Sequence, residues 1–246
     1  MNQIASKPTQ GGINVHRNEL KYYISEIESF VLMNKLAHVL KADPHNKSSG
    51  GYFIRSLYFD SHDDECLHEK QLGNMFRQKY RMRIYDTRSQ VVKFEIKNKY
   101  NNQIFKETAS ITKDSAYRII KGDYSAFLDY NNTVLNKAYA VFTTKLYKPK
   151  VIIDYTRHAF QFDFFNLRIT LDKNLRSNNT DFDLFSNNLH VIPVILEGKQ
   201  ILEIKYEHVL PEYIRKSLQI DAVERMAISK YTLGRRFFKL EKWEDN

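Results

Sequence analysis

The chain has 246 residues, with 38 Lys and Arg against 29 Asp and Glu, giving a formal charge of +9. A chain of that length buries roughly 70–75% of its unfolded surface, and 16 Tyr, 16 Phe and one Trp beside eight Gly and five Pro exclude a disordered, collagenous or low-complexity chain. The cation excess points to an anionic partner, while the single Cys66 excludes an intrachain disulfide framework and, with no signal-peptide pattern, points to a cytoplasmic location.

In chain order, residues 1–13 are polar and aperiodic and read as a flexible leader, with 14–246 as one domain. Val15 to Ile24 patterns as a strand and Ser25 to Leu40 as a helix, with Ile27, Phe30, Val31, Leu36 and Val39 at near-helical spacing. Asp43-Pro44 stops that helix. Tyr52 to Asp60 is strand-like, and Ser61, Asp63 and Asp64 suit the cap of a helix running to about Gln71. Cys66, within it, reads as a small buried hydrophobe. Lys79 to Tyr85, Val91 to Lys99 and Gln103 to Ile111 predict an antiparallel meander with hairpin linkers. Residues 112–147 turn helical, with a polar break around Tyr130 to Thr133. A second strand set follows at Lys150 to Gln161, Leu167 to Leu171, His190 to Leu196 and Gln200 to Glu207. Pro211 opens a helix to about Gln219, and a last helix is expected over Ala222 to Lys239, its Tyr231, Phe237 and Phe238 serving packing. No stretch approaches the ~18 apolar residues that cross a bilayer. About eight largely antiparallel strands with intervening helices make this an α+β chain.

Residues two apart on a strand share a face. Arg17, Glu19 and Lys21 therefore stand together, as do Lys79, Arg81 and Arg83, then Lys93, Glu95, Lys97 and Lys99, and finally Glu203, Lys205 and Glu207, while the alternate positions are apolar. An open sheet with its polar face in water would fit this alternation. The charged faces are mostly Lys and Arg with single glutamates between, however, and helices are available to cover the apolar faces. The expected architecture is thus an eight-stranded β-barrel with helices packed outside and the charges inside. Like charges 4 Å apart repel by about 4 kcal/mol at an effective dielectric of 20, so such an interior calls for a strongly anionic ligand. ATP, another triphosphate or inorganic polyphosphate suits Arg forks and Lys point charges, and the glutamates suit Mg²⁺ or Mn²⁺ together with phosphate oxygens.

The strings RNELKYYI, RSLYFD, KYRMRIYD, VVKFEIKNK with IFKET, IDYTRHAF, LRITLD, LEIKYE and ISKYTLG run in order from about residue 16 to 235. In this the chain resembles the catalytic domain of the vacuolar transporter chaperone (VTC) complex, a polyphosphate polymerase of the triphosphate tunnel metalloenzyme, or CYTH-like, superfamily. The resemblance implies a tunnel of eight antiparallel strands. It implies catalytic contacts from Arg81, Arg83, Lys97, Arg157 and Lys205, phosphate binding by Lys21, Lys106, Arg168 and Lys230, and a metal at Glu203, with Glu95 and Glu19 as further metal or water-positioning candidates. The hydrolase side of the superfamily opens with Glu-x-Glu-x-Lys, whereas this chain has Arg17-Asn-Glu19-Leu-Lys21, a departure toward the polymerase-like branch. The expected reaction is metal-dependent transfer of the ATP γ-phosphoryl group to a growing polyphosphate chain. A triphosphatase using the same residues, or a non-catalytic polyanion-binding module, is the alternative. The basic, Tyr-containing stretch Arg77 to Arg83 would suit single strands, but no RNP1 string, zinc-finger spacing, P-loop or GxGxxG is present, so nucleic acid is not an expected partner.

Overall fold

A computed structural model describes residues 17–46, 50–101, 103–218 and 225–236; the expected leader lies outside them. The elements in order are β1 (Arg17–Ser25), α1 (Glu26–Val39), β2 (Lys41–Ala42), β3 (Tyr52–Asp60), α2 (Glu65–Gln71), β4 (Phe76–Ile84), β5 (Val91–Tyr100), β6 (Gln103–Thr112), α3 (Lys113–Ile120), α4 (Thr133–Thr144), β7 (Lys148–Phe162), β8 (Leu167–Asn178), β9 (Ile192–Pro193), β10 (Lys199–Glu207), α5 (Glu212–Leu218) and α6 (Lys230–Arg236). A 3-10 turn at Tyr124–Phe127 separates α3 from α4.

The strands form one antiparallel sheet in the order β1-β10-β8-β7-β3-β4-β5-β6, with β2 and β9 as short additions to β7 and β8. This corrects the expected barrel: β1 and β6 end the path and do not pair, so the sheet is open. Alternation reveals which faces are charged but not whether first and last strands meet. Here the outer edge of β1 is otherwise engaged, because the Met226 N–H donates to the Lys21 carbonyl at 2.9 Å and Lys21 Nζ donates to the Ile228 carbonyl at 3.2 Å. The gap is crossed by side chains instead: Lys97 of β5 stands 3.5 Å from Glu19 of β1. The sheet curls into a trough.

Helices cover the convex face in two groups. On one side α1 and α5 bury Leu32, Leu36, Ile214 and Leu218 against Tyr22, Ile24, Ile169, Leu171, Leu202 and Ile204. On the other, Leu67, Phe127 and Phe142 join Leu57, Phe59, Tyr80, Met82, Val92 and Phe94, and Phe142 meets six aromatic rings at 5.1–6.0 Å, those of Phe59, Tyr80, Phe94, Tyr124, Phe127 and Tyr147. Each such side chain contributes about 1.5–3 kcal/mol on burial, which is what fixes the charged residues of the same strands on the opposite face. Cys66 is buried in this second group, with its thiol 3.2 Å from the Tyr147 hydroxyl.

Local chemistry explains where the sequence reading holds and where it fails. Ser25 caps α1 in a capping box with Glu28, but the inward face is Ser29, Leu32 and Leu36, while Ile27, Phe30, Val31 and Val39 are exposed. At α2 the free N–H groups of Cys66 and Leu67 are accepted by Asp60 and that of Glu65 by Ser61. Asp64 is left-handed, makes no cap bond, and pairs with Lys150 and Arg235. The strand expected over His190 to Leu196 shrinks to β9, where Pro193 lacks the N–H that would extend the ladder. The last helix starts only at Lys230, after an irregular stretch at 225–229; Phe237 and Phe238 lie outside the described residues.

That helix enters the trough. Gly234 packs where a Cβ would stand 2.2 Å from Ile153 Cδ1 and 3.0 Å from Val151 Cγ2, so only glycine lets α6 approach β7 this closely. Tyr231 is buried, stacks on Tyr58 and donates its hydroxyl to Asp60. The Asp60 end of β3 is thereby closed.

Candidate functional site

Strand register converts the alternation of charges into one continuous surface. Lys21 lies opposite Glu203 and Glu19 opposite Lys205; Glu203 and Lys205 lie opposite Thr170 and Arg168; Arg157 lies opposite Asp172. Across the sheet, Arg81 faces Tyr58 and Glu95, while Lys97 faces Lys79 and Lys106. Directly opposed residues project to the same side. The strand residues singled out in the sequence therefore line the trough, and α6 adds Lys230.

Three ion-pair groups organise them. In the first, Lys21 Nζ stands 2.6 Å from Glu19 and 3.8 Å from Glu203, while Lys205 is 2.5 Å from the other Glu203 oxygen. Burial opposes both carboxylates, but Lys21 and Lys97 bring Glu19 down to about 2, and Lys205 with Lys21 holds Glu203 well below the usual carboxylate range. Lys21 in turn is raised despite its burial by Glu203 and Glu19. In the second, Arg157 makes a two-pronged contact with Asp172 at 2.6 and 2.7 Å, and Lys230 lies 2.6 Å from the same carboxylate. In the third, Glu95 is held by Arg81 at 2.6 Å, Lys106 at 3.1 Å and Arg83 at 3.9 Å; against the upward push of burial, these cations lower it to about 2. Arg83 is itself buried, donating to Ser56 and to the Tyr155 hydroxyl. Arg168 sits at the rim, 2.6 Å from Asp43, and also donates to the Tyr52 hydroxyl.

Among the described residues Lys79 has no carboxylate contact in the trough. It donates to Ser229 Oγ at 2.9 Å and lies over the Tyr231 ring. Burial, then Lys97 and Lys21, depress its ammonium to about 7, and burial with Lys21 and Lys205 takes Lys97 to about 8 in spite of Glu19.

Sequence reasoning passed over Asp172, Asp43 and Lys79 as site members. The signal for Asp172 was present, since it lies two and four residues beyond Thr170 and Arg168 and so shares their face. Asp43 was read only as part of a helix stop, and its contact with Arg168 depends on β2 lying beside β7.

Among the described residues no group of three or more His, Cys, Asp or Glu stands together as a metal cage. Glu19 and Glu203, which share Lys21, still fit a hard divalent cation that takes carboxylate, phosphate and water oxygens together. Glu95 belongs to a separate group enclosed by cations. A depression of about 380 Å³ lined by Phe53, Arg55, Tyr85, Asp86, Thr87, Ser186 and Asn187 adjoins the opposite face of β3, because Phe53 and Arg55 alternate with Tyr52 and Ile54.

The VTC domain family model matches residues 16–239. The chain belongs to the VTC domain family, within the CYTH-like, triphosphate tunnel metalloenzyme superfamily. Among solved structures it is similar to a "putative adenylyl cyclase" from Hippeastrum, described as having a dominant triphosphatase activity, at 12% identity and a TM-score of 0.52, covering 89% of this chain and 96% of that one. A "putative adenylate cyclase" from Bacillus halodurans matches at 11% identity and a TM-score of 0.49, over 87% and 95% of the two chains. No curated protein matches this VTC domain chain. None of its described helices is long and apolar enough to cross a membrane.

Proposed function

We propose that the trough binds a linear triphosphate, or the end of a longer phosphate chain, and cleaves its terminal phosphoryl group with the help of Mn²⁺ or Mg²⁺, water being the acceptor. The observation that carries this reading is the convergence of Lys21, Lys97, Lys106, Arg157, Lys205 and Lys230 on one concave face with the Glu19–Lys21–Glu203 group among them. Phosphoryl transfer asks for positioning and charge neutralisation rather than a protein nucleophile. Arg81 and Arg157 are held by Glu95 and Asp172, which fixes their guanidinium planes for phosphate oxygens. Arg83, beneath them, positions Glu95, and Arg168 serves the entrance. Glu203 and Glu19 would hold the metal, which when bound neutralises phosphate oxygens. Lys21, released from the two carboxylates, would then turn to phosphate. The activity described for the Hippeastrum protein supports triphosphate hydrolysis on this fold.

A second reading keeps the same residues and changes the acceptor to the end of a polyphosphate chain, with ATP as donor. It is favoured by the VTC domain match and by Arg17 standing where triphosphatases carry an acid. Incubation of the purified chain with ATP or inorganic triphosphate and Mn²⁺ or Mg²⁺ separates the two. Orthophosphate as the sole inorganic product supports the triphosphatase; long polyphosphate overturns it in favour of transfer. Binding with no metal-dependent turnover, unchanged in Glu203→Ala, would leave only a polyanion-binding module.

A further inference from the structure

One tip of the sheet carries large apolar side chains that neither the core nor the trough uses. Between α2 and β4 the chain exposes Leu72 at 79% and Met75 at 72%, and Phe76, Tyr100 and Phe105 are exposed beside them. Strand register makes these one patch. Phe76 lies opposite Tyr100, and Tyr100 and Asn98 lie opposite Gln103 and Phe105, so Phe76, Tyr100 and Phe105 are neighbours on the convex face. The Asn101 N–H donates to the Met75 carbonyl at 2.9 Å, which ties the α2–β4 connection to the end of β5. Single exposed apolar residues are ordinary; five large ones gathered on one tip mark an interaction surface.

The other side of the same strand ends is cationic. Arg77 lies directly opposite Lys99, an arrangement that costs stability when no anion is near. Burial and then Arg77 lower the Lys99 ammonium. Lys70, in the last turn of α2, is close enough that burial, then Arg77, Lys99 and Lys21, lower it as well. Among the described residues none of these three cations makes an ion pair, whereas Lys21, Arg81 and Lys106 deeper in the trough are each held by a glutamate. The tip thus combines projecting apolar groups with uncompensated positive charge.

Charge complementarity calls for an anionic partner, and the shape narrows it. Leu72 and Met75 stand out from the surface instead of lining a groove, so an acidic protein would need a matching concavity, whereas a bilayer surface takes up projecting side chains directly. Apolar burial at the headgroup–acyl boundary and attraction to anionic lipids add together in such contacts, and Tyr rings settle at headgroup level. We infer that the tip formed by Leu72, Met75, Phe76, Tyr100 and Phe105 is a peripheral docking surface for an anionic lipid bilayer. Its apolar side chains enter the boundary while Arg77 and Lys99 meet the anionic headgroups. The docking is independent of what the trough binds.

Flotation of the full chain with vesicles of phosphatidylcholine alone, or of phosphatidylcholine mixed with phosphatidylglycerol, tests this in EDTA, with and without inorganic triphosphate. One cation near an anionic leaflet corresponds to roughly fivefold in partition, so Arg77 and Lys99 together should favour the mixed vesicles by about 25-fold. Arg77→Gln with Lys99→Gln should erase most of that preference. Leu72→Gln with Met75→Gln, at two exposed positions, should weaken binding to the mixed vesicles by about 10-fold or more while leaving the urea midpoint unchanged. Binding that the Leu72→Gln, Met75→Gln chain retains in full, or that triphosphate abolishes, would put the headgroups in the trough and overturn the docking surface. Absence of binding to either vesicle overturns it as well and leaves the patch to a protein partner.

Discussion

Two carboxylate groups in the trough look alike in composition and differ in what surrounds them. Glu95 is one buried acid among Arg81, Arg83 and Lys106, so its charge is fully committed to holding cations in place. Glu19 and Glu203 are two acids with Lys21 between them, plus Lys205 and Lys97 at their outer oxygens. Two neighbouring carboxylates can take a divalent ion in place of the central ammonium, whereas Glu95 is a single acid already surrounded by three cations. The difference assigns the two groups separate work: one builds the basic wall, the other can receive a metal.

The largest expected effect therefore falls on Glu203. Glu203→Gln keeps the shape of the side chain and removes its charge, and should lower metal-dependent turnover of triphosphate by roughly 100-fold or more, the scale on which a single electrostatic contact to a transition state acts. Affinity for inorganic triphosphate in EDTA should hold or improve, because Lys21 and Lys205 are freed for phosphate. Turnover within a few-fold of the unaltered chain would transfer the metal role away from Glu203.

Glu95→Gln should break the fold rather than the chemistry. Removing one partner of a buried ion pair leaves uncompensated charge and costs about 3 kcal/mol, here with Arg83 buried and hydrogen-bonded on the far side. Urea unfolding measures the loss, and long-chain polyphosphate should restore part of it by replacing the missing anion. A variant as stable as the parent would show that Arg81 and Lys106 find water instead, and that the two carboxylate groups are not distinct in the way described.

How these groups meet was only partly written in the sequence. The charged faces were legible because strand alternation is strictly local: Glu203, Lys205, Arg81 and Lys97 declare their side by their neighbours Leu202, Ile204, Met82 and Ile96. Closure was not legible, since it depends on whether β1 and β6, far apart in the chain, meet at an edge that Met226 already engages. The inward face of α1 was misread for a related reason. Ile27, Phe30 and Val31 are as apolar as Leu32 and Leu36, and only the crossing of the helix over β1 and β10 decides which row is covered. Lys79 was recognised as a cation of the right face, but its lack of a carboxylate contact depends on which carboxylates the register brings near it.

That lack makes pH a probe of the same comparison. Lys79 near 7 and Lys97 near 8 both lie below the ordinary 10.5, so between those values the folded chain binds fewer protons than the unfolded one, and stability without ligand should rise as pH rises through that window. A bound phosphate chain reverses the preference by favouring both ammonium forms. At pH 8 triphosphate binding should take up protons, visible as a binding enthalpy that changes between two buffers of different ionisation heat, and affinity should fall several-fold from pH 8 to 9.5. Binding without proton uptake would place the ligand away from Lys79 and Lys97, nearer the Glu95 wall.

Lys79→Met gives the smallest and most specific effect. Methionine keeps the unbranched stem and its packing over Tyr231 but removes the charge that Lys97 and Lys21 oppose. At pH 6, where Lys79 is protonated, the variant should be more stable than the parent by about 1 kcal/mol, the scale of one moderate like-charge interaction. At pH 9 the gain should be smaller, because the cost of carrying Lys79 in the folded chain falls as pH rises from about 7 toward the ordinary 10.5. A gain of the same size at both pH values would be packing against Tyr231 rather than charge, while a loss at both would mean that the bond from Lys79 to Ser229, just before α6, outweighs the repulsion it endures.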